Sequence, residues 1–178
     1  NKSFKKKQLA YLYFIFLLIC VQGFIGWFMV QSGLVENTDV SHYRLSLHLT
    51  VAFIILILLI WNFLTYTKPN LTNRSEKVPY KIIEVLTFLI ILQISIGALV
   101  SGLDAGTIYQ SWPLMNQSYF PDDSMISDLL TLSLFESPSL IQFFHRNLAY
   151  LIFLIFSFLG YFIYKNERFI HLRNTFLL

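Results

Sequence analysis

The sequence predicts an all-α polytopic membrane bundle of four transmembrane helices, arranged as two hairpins, and three observations support this fold class. Of the 178 residues, 56% are hydrophobic and only 13% are charged, which is more apolar than a soluble domain. The mean hydropathy is positive. Four apolar runs each reach the roughly 20 residues that a helix needs to cross a bilayer core: residues 9–30, 45–66, 82–103 and 140–164.

The first predicted helix changes character near its end. Gln22, Gly23 and Gly26 interrupt an otherwise apolar run, and Trp27 follows as an aromatic anchor at the depth of the membrane interface. Small residues allow helices to approach closely, and an amide inside a membrane needs a partner. The pattern therefore predicts tight packing and a buried glutamine at this position.

The second predicted helix begins with two ionisable side chains. Asp39 and Ser41 are its candidate N-caps, in the connection that precedes it. Arg44 and His48 follow, one turn apart on one helix face. Ionisable residues inside a membrane helix are costly and usually mark function, so this pair is the first candidate site.

The third and fourth predicted helices repeat this arrangement. Gln93 and Gly97 reproduce the glutamine and glycine of the first helix. The fourth helix begins with His145 and Arg146, as the second begins with an arginine and a histidine. Two hairpins of equal topology predict a parallel duplication about an axis normal to the membrane. They differ in their connection, which is short in the first hairpin and covers residues 104–139 in the second.

The charges predict a topology. All but two of the 13 lysines and arginines lie before the first helix, between the second and third, or after the fourth: Lys2, Lys5, Lys6, Lys7, Lys68, Arg74, Lys77, Lys81, Lys165, Arg168 and Arg173. Acidic residues gather on the other side: Glu36, Asp39, Asp104, Asp122, Asp123, Asp128 and Glu136. The positive-inside rule then predicts both termini on the cytoplasmic or matrix side. The net charge of +3 reflects this topology and gives no support to nucleic-acid binding.

The two membrane histidines are candidate metal ligands. Neutral imidazole is a common axial ligand of haem iron, and helix bundles hold cofactors between facing helices. Arg44 and Arg146 lie beside His48 and His145 and could bind carboxylates such as haem propionates. The spacing leaves open whether the two histidines ligate one haem together or each pairs with a histidine outside this chain.

The alternative is that both histidines are hydrogen-bonded core residues and both arginines extend to the surface. Two histidines at equivalent places in a repeat favour the ligand interpretation. Two further histidines are not expected to be ligands, because His42 is predicted to be solvated at the loop end and His171 lies among charges. The single Cys20 predicts a packed thiol and no disulfide within the chain. No phosphate-binding loop, Cys-x-x-Cys or nucleophile-elbow motif is present.

Four segments resemble the heme A synthase family, membrane enzymes that convert heme O to heme A for cytochrome oxidase. The segments cover much of the chain and stand in the family's order: QGFIGWFMVQSGL at 22–34, VSHYRLSLHL at 40–49, GALVSGLDAGTIYQSWPLM at 97–115 and QFFHRNLAY at 142–150. The enzyme activity that this resemblance implies is an oxidoreductase that turns one haem methyl into a formyl group by successive hydroxylations.

The resemblance implies an eight-helix protein of two halves, of which this chain matches the third to sixth helices. Residues 1–66 would end the N-terminal half, which handles the substrate heme O; 67–81 would be a cytoplasmic or matrix linker; 82–178 would begin the C-terminal half, which holds a haem b cofactor. His48 is then a ligand of the substrate haem and His145 a ligand of haem b.

The same resemblance implies which neighbours complete each site. Arg44, Gln22 and Trp27 would contact the substrate haem, and Arg146, Gln93 and Trp112 would contact haem b. The partner histidines and a catalytic glutamate would lie on helices that this chain lacks. Its catalytic residues are therefore unknown, and the chain is expected to be an inactive fragment.

The implied setting is a bacterial cytoplasmic membrane or a mitochondrial inner membrane. Heme O synthase and an electron acceptor are candidate partners, and a homo-oligomer is left open. Two other functions fit the residues: a membrane haem b electron-transfer subunit without its own chemistry, and a small proton-coupled transporter with the histidines as a proton relay.

Overall fold

The computed structural model describes residues 6–33, 40–67 and 80–169. Within these ranges the protein is all-helical, and all four long helices are long and apolar enough to cross a membrane: α1 (Lys6–Gly33), α2 (His42–Thr67), α3 (Tyr80–Gly102) and α4 (Pro138–Lys165). The predicted fold class is confirmed, and the four predicted runs lie within these helices apart from Leu103, which follows α3.

Several predicted features lie outside the described residues. They are the candidate cap Asp39, most of the linker, Glu36, His171, and the cations Lys2, Lys5, Lys68, Arg74, Lys77 and Arg173. The division into residues 1–66, 67–81 and 82–178 stays a prediction.

Local signals explain where two of the helices begin. The carbonyl oxygen of Ser41 accepts hydrogen bonds from the N–H groups of Arg44 and Leu45 at 3.0 and 3.1 Å. Ser41 therefore stands immediately before α2, which is the position expected of a candidate N-cap. The side chain of Ser137 accepts the N–H of Leu140, and Pro138 occupies the first turn of α4.

Each helix packs mainly on its neighbours in the chain, α1 on α2, α2 on α3 and α3 on α4. Two small apolar clusters hold α3 to α4: one contains Leu86, Leu159 and Ile163, and the other contains Ile96, Leu99 and Ile141. Many large apolar side chains elsewhere on the helices are exposed. Such surfaces suit contact with lipid or with further membrane helices.

The contact between α2 and α3 joins the two hairpins and is both close and polar. Ser46 donates from Oγ to the carbonyl oxygen of Ser95 at 2.7 Å, and the hydroxyls of Thr50 and Ser95 lie 2.7 Å apart. Ser46, Thr50 and Ser95 are called the hydroxyl cluster below. Near the ends of the helices, a Cβ placed on Gly102 would lie only 2.7 Å from the Cβ of His42. Glycine at 102 therefore lets the two backbones meet.

Two sequence-based expectations are wrong. His42 was expected to be solvated, but it is half-buried in the first turn of α2, because the helix begins earlier than the apolar run and packs on Gly102. Cys20 was expected to be a packed thiol, but it is exposed on α1. Its helix face has no neighbour among the described helices that would cover it.

Residues 103–137, called the long connection, fold into a compact layer over the beginning of α4. They contain three short 3-10 turns and a cis peptide bond between Trp112 and Pro113. Asp104 and Asn116 adopt positive φ angles of 49° and 63°, which asparagine and aspartate tolerate better than most residues. Within this layer, the side chains of Tyr109 and Met115 are buried. The beginnings of α2 and α4, the ends of α1 and α3 and the long connection together form what is called the loop face.

Candidate functional site

The first candidate site lies between α1 and α2 and is formed by a glutamine and a histidine. The amide nitrogen Nε2 of Gln22 lies 3.3 Å from the imidazole Nε2 of His48. The same amide nitrogen donates to the backbone carbonyl oxygen of His48 at 2.9 Å. One side chain on α1 thus contacts both the ring and the main chain of a single residue on α2.

The second candidate site, between α3 and α4, has the same geometry. The amide nitrogen of Gln93 lies 3.2 Å from the imidazole Nε2 of His145 and 3.1 Å from its carbonyl oxygen. The two sites therefore agree atom for atom. This agreement extends the similarity that the repeated residues of the two hairpins predicted.

A glycine lies against each imidazole. A Cβ built on Gly26 would lie 3.1 Å from Cε1 of His48, and one built on Gly97 would lie 3.0 Å from Cε1 of His145. By contrast, a Cβ on Gly23 would meet nothing within 4 Å. Gly26 and Gly97 therefore give the rings space against the backbone of the neighbouring helix, and Gly23 has no such role.

The polar atoms of both sites are not all paired. The imidazole Nδ1 of His48 and of His145, and the amide Oε1 of Gln22 and of Gln93, are buried and have no hydrogen-bond partner among the described residues. Each site thus leaves one imidazole Nδ1 and one amide Oε1 without a partner among the described residues. Both sites therefore have capacity for one more polar or coordinating group.

The donor set fits a haem better than a metal ion held by protein alone. Within the described ranges, no three His, Cys, Asp or Glu side chains come together. Each site instead offers one imidazole between two apolar helices, and imidazole is a ligand that haem iron takes from proteins. These residues can thus hold haem iron, provided that Nε2 leaves the glutamine or Nδ1 is used.

The two site arginines have different surroundings. The guanidinium of Arg44 lies over the ring of Phe28, 4.9 Å from its centroid, one turn before His48. Arg146 binds the long connection, since it donates from Nη2 to the carbonyl oxygen of Tyr109 at 2.7 Å and from Nη1 to that of Ser111 at 2.9 Å. The predicted contact of either arginine with haem carboxylates stays a prediction.

The two site tryptophans are exposed. Trp112 is 72% exposed and donates from Nε1 to the hydroxyl of Tyr150 on α4 at 2.6 Å. Trp27 is 57% exposed and packs on Phe24, with ring centroids 5.8 Å apart. Neither ring contacts a site histidine among the contacts described, so their roles at the haems also stay predictions.

Sequence reasoning missed a group of residues that holds the long connection to α4. Gln142 is 6% exposed and donates to the carbonyl oxygen of Tyr109 at 2.9 Å. The Tyr109 hydroxyl donates to Asp122 at 2.5 Å, and Ser139 donates to Asp123. The signal was present in the QFFHR segment, whose glutamine lies one turn before the histidine, but no spacing rule links it to a residue 33 positions away.

Burial and this hydrogen bonding change two pKa values in the long connection. Burial raises the pKa of Tyr109 to about 12, and the hydrogen bond to Asp122 adds to the effect. The same hydrogen bond lowers the pKa of Asp122 below its ordinary value, with a smaller contribution from Asn116. The neutral phenol and the ionised carboxylate therefore stabilise each other.

An apolar cavity of about 400 Å³ lies in the second hairpin. Its walls come from α3, α4 and the end of the long connection, and they include Ile96, Phe144, Leu148 and Phe135. Asn147 is the one polar side chain in its lining.

The helices and sites define a class: a polytopic membrane protein with two equivalent histidine sites, one in each helical hairpin. A family model described as cytochrome oxidase assembly protein matches residues 1–178. The chain is 48% identical over 165 residues to the heme A synthase of Pelagibacter ubique (strain HTCC1062), covering 91% of this chain and 48% of that protein. It is 38% identical to the heme A synthase of Bartonella tribocorum, covering 100% of this chain and 50% of that protein.

A third relative, the heme A synthase of Agrobacterium fabrum, is 44% identical over 132 residues, which cover 74% of this chain and 36% of that protein. No solved structure matches the chain significantly. The chain spans about half the length of the curated relatives it matches. It belongs to the heme A synthase family of cytochrome oxidase assembly proteins.

Proposed function

We propose that this chain is the central part of a heme A synthase, an oxidoreductase that converts heme O to heme A by oxidising a haem methyl to a formyl group. The observation that carries the proposal is the duplicated site, in which a glutamine, a glycine and a histidine stand in the same geometry in both hairpins. The heme A synthase relatives support the choice of reaction.

In the second site, His145 would ligate a haem b cofactor, which when bound supplies a redox-active iron. The chain's own residues prepare the place. Gln93 contacts the imidazole and Gly97 leaves space for its ring. Arg146, the residue next to His145, holds the long connection through a hydrogen bond to Tyr109. Because the long connection is bonded to α4 beside His145, it would limit the access of water to the loop-face end of this site.

In the first site, His48 would ligate the substrate heme O. Gln22 and Gly26 hold the ring as their counterparts do in the second site. Arg44 lies one turn closer to the loop face, where its cation over Phe28 can attract the haem carboxylates. A heme O held by its iron at His48 and by its carboxylates at Arg44 would keep one orientation relative to the reacting groups.

Each site supplies one histidine, so a second ligand for each haem would come from outside the described residues, as would the catalytic residues. The loop face would lie on the outer side of the membrane and both termini on the cytoplasmic or matrix side. Heme O synthase and an electron acceptor are the partners that this reaction needs.

The test uses the complete membrane protein, purified with haem and co-expressed with a heme O synthase. We expect His145→Ala to lose the Soret absorbance of haem b, and His48→Ala to keep it while heme A formation stops. Cys20→Ser is the matched control, because Cys20 is exposed on α1. Unchanged Soret spectra and heme A formation in both histidine variants would refute the proposal. Haem b bound without any heme A formed by the unaltered protein would indicate an electron-transfer subunit instead.

A further inference from the structure

We propose that Gln22 and Gln93 are positioning residues that hold His48 and His145 in one tautomer, with the proton on Nδ1 and the lone pair on Nε2. Nε2 is then the nitrogen available to iron, and the amide occupies it until ligation. This inference rests on the proposed haem ligation for its functional meaning, whereas the tautomer itself follows from the geometry of the chain.

The first step fixes which end of each amide faces the histidine. The amide atom nearest the backbone lies 2.9 Å from the carbonyl oxygen of His48 in one site and 3.1 Å from that of His145 in the other. A carbonyl oxygen accepts hydrogen bonds and cannot donate them. The amide atom at this position must therefore be the NH₂ nitrogen, and a flipped amide would place two acceptors against each other.

The second step fixes the proton on the ring. The same NH₂ nitrogen lies 3.3 Å from Nε2 of His48, and its counterpart lies 3.2 Å from Nε2 of His145. An amide nitrogen donates and does not accept, so ring Nε2 must be the acceptor. A neutral imidazole with an accepting Nε2 carries its proton on Nδ1, the ring atom that is buried without a hydrogen-bond partner among the described residues in both sites.

The third step concerns the position of the ring. Gly26 and Gly97 place helix backbone close to Cε1 of each imidazole, and the amide lies on its Nε2. The ring is thus held between a backbone and a hydrogen-bond donor. When iron takes the Nε2 lone pair, the amide loses that bond but can keep its bond to the carbonyl oxygen.

A different role would be purely structural: each glutamine would simply tie α1 to α2, or α3 to α4. Loss of the glutamine would then lower stability but leave the proton where it is on the ring. The tautomer distinguishes the two roles, because only the positioning role predicts that loss of the glutamine changes the tautomer ratio of the histidine.

The experiment measures the ring nitrogens of the complete protein, labelled with ¹⁵N-histidine and prepared without haem, by NMR. The signals are assigned by their loss in His48→Ala and His145→Ala. In the unaltered protein we expect both rings to be protonated on Nδ1 and unprotonated on Nε2. This measurement needs no glutamine variant, and protonation of Nε2 in the unaltered protein would overturn the inference.

The duplication supplies matched controls. Gln93→Met keeps the side-chain length but removes the donor, and we expect it to change the tautomer ratio of His145 about fivefold, the effect of one ordinary hydrogen bond. The ratio at His48 should stay constant, and Gln22→Met should do the reverse. An unchanged ratio at the histidine of the altered hairpin would show a structural role only. If His145→Ala still bound haem b normally, the ligation proposal would fail while the tautomer result would stand.

Discussion

Arg146 donates a 2.7 Å hydrogen bond to the carbonyl oxygen of Tyr109, 37 positions earlier in the chain. A second nitrogen of the same guanidinium reaches the carbonyl oxygens of Ser111 and Leu114 at 2.9 and 3.4 Å. The residue beside the proposed haem b ligand therefore organises the long connection. A planar guanidinium can serve several carbonyls at once, which a lysine ammonium cannot do with the same geometry.

We expect Arg146→Lys to loosen the long connection. Loss of charged hydrogen bonds to carbonyls costs roughly 1.5–3 kcal/mol each, so amide hydrogen exchange across residues 109–115 should become faster by about tenfold or more. Mass spectrometry of the exchanged protein would measure this. Arg44→Lys is the control, because Arg44 lies over Phe28 on another hairpin. Equal exchange in both variants would contradict the role given to Arg146.

Gly97→Ala is expected to weaken haem b binding. The new Cβ would lie 3.0 Å from Cε1 of His145, so the ring must shift. Overpacking of this kind costs about 1–3 kcal/mol, which corresponds to a haem dissociation constant raised about tenfold. Haem titration followed in the Soret band gives the constant.

The matched control for that prediction is Gly23→Ala, because its Cβ would meet nothing within 4 Å. It should bind haem normally and gain up to about 1 kcal/mol of helix propensity. Equal haem affinity in Gly97→Ala and Gly23→Ala would show that the space beside the ring is not needed.

Gly102→Ala should destabilise the contact between the hairpins. Its Cβ would lie 2.7 Å from Cβ and 2.8 Å from Cα of His42, and the second of these is a backbone atom that no rotamer change can move. Helix α2 must then move away from α3, and we expect a lower midpoint of thermal unfolding in detergent. Gly106→Ala, whose Cβ would meet nothing within 4 Å, is the control. A midpoint equal to that of the control would argue against a tight contact.

The pair Tyr109 and Asp122 predicts a pH dependence of the long connection. The pKa of Tyr109 rises in the folded state from 10.0 to about 12. The stabilisation that comes from the neutral Tyr109 is therefore fully present below the unfolded-state pKa of 10.0, and it is lost as the pH rises from there to about 12. The pKa of Asp122 is lowered, so its contribution is full above the unfolded value and is lost as the pH falls through the folded one.

Fluorescence of Trp112 in a Trp27→Phe, Trp61→Phe background would follow the connection across these ranges. Tyr109→Phe should remove the alkaline change in fluorescence. The control Tyr119→Phe, which retains Tyr109, should still show it. A loss of structure between pH 10 and 12 that persists in Tyr109→Phe would assign the change to another group.

The fold could be predicted because membrane helices are specified by local composition. Runs of about 20 apolar residues determine their own backbone hydrogen bonding, whatever their neighbours are. The pairs Gln22–His48 and Gln93–His145 could be predicted in part, since an amide and an imidazole at matching positions of a hairpin each need a partner. The repeat then supplied the correspondence between the two pairs.

The remaining contacts depend on distance in space rather than in sequence. The bonds from Arg146 and Gln142 to the long connection join residues more than 30 positions apart through backbone carbonyls, which carry no side-chain signal. The contact of His42 with Gly102 depends on how α2 crosses α3, and the composition of either helix does not set that angle.

The hydroxyl cluster joins a helix of the first site to a helix of the second. Helix α2 carries the histidine of one site and α3 carries the glutamine and glycine of the other, and Ser46, Thr50 and Ser95 join these helices. We expect that any tilt of α2 that follows occupancy of the first site would be passed to α3, and so to the second site, through these hydrogen bonds. The free energies of occupying the two sites would then be linked, and a substitution in the hydroxyl cluster would affect both.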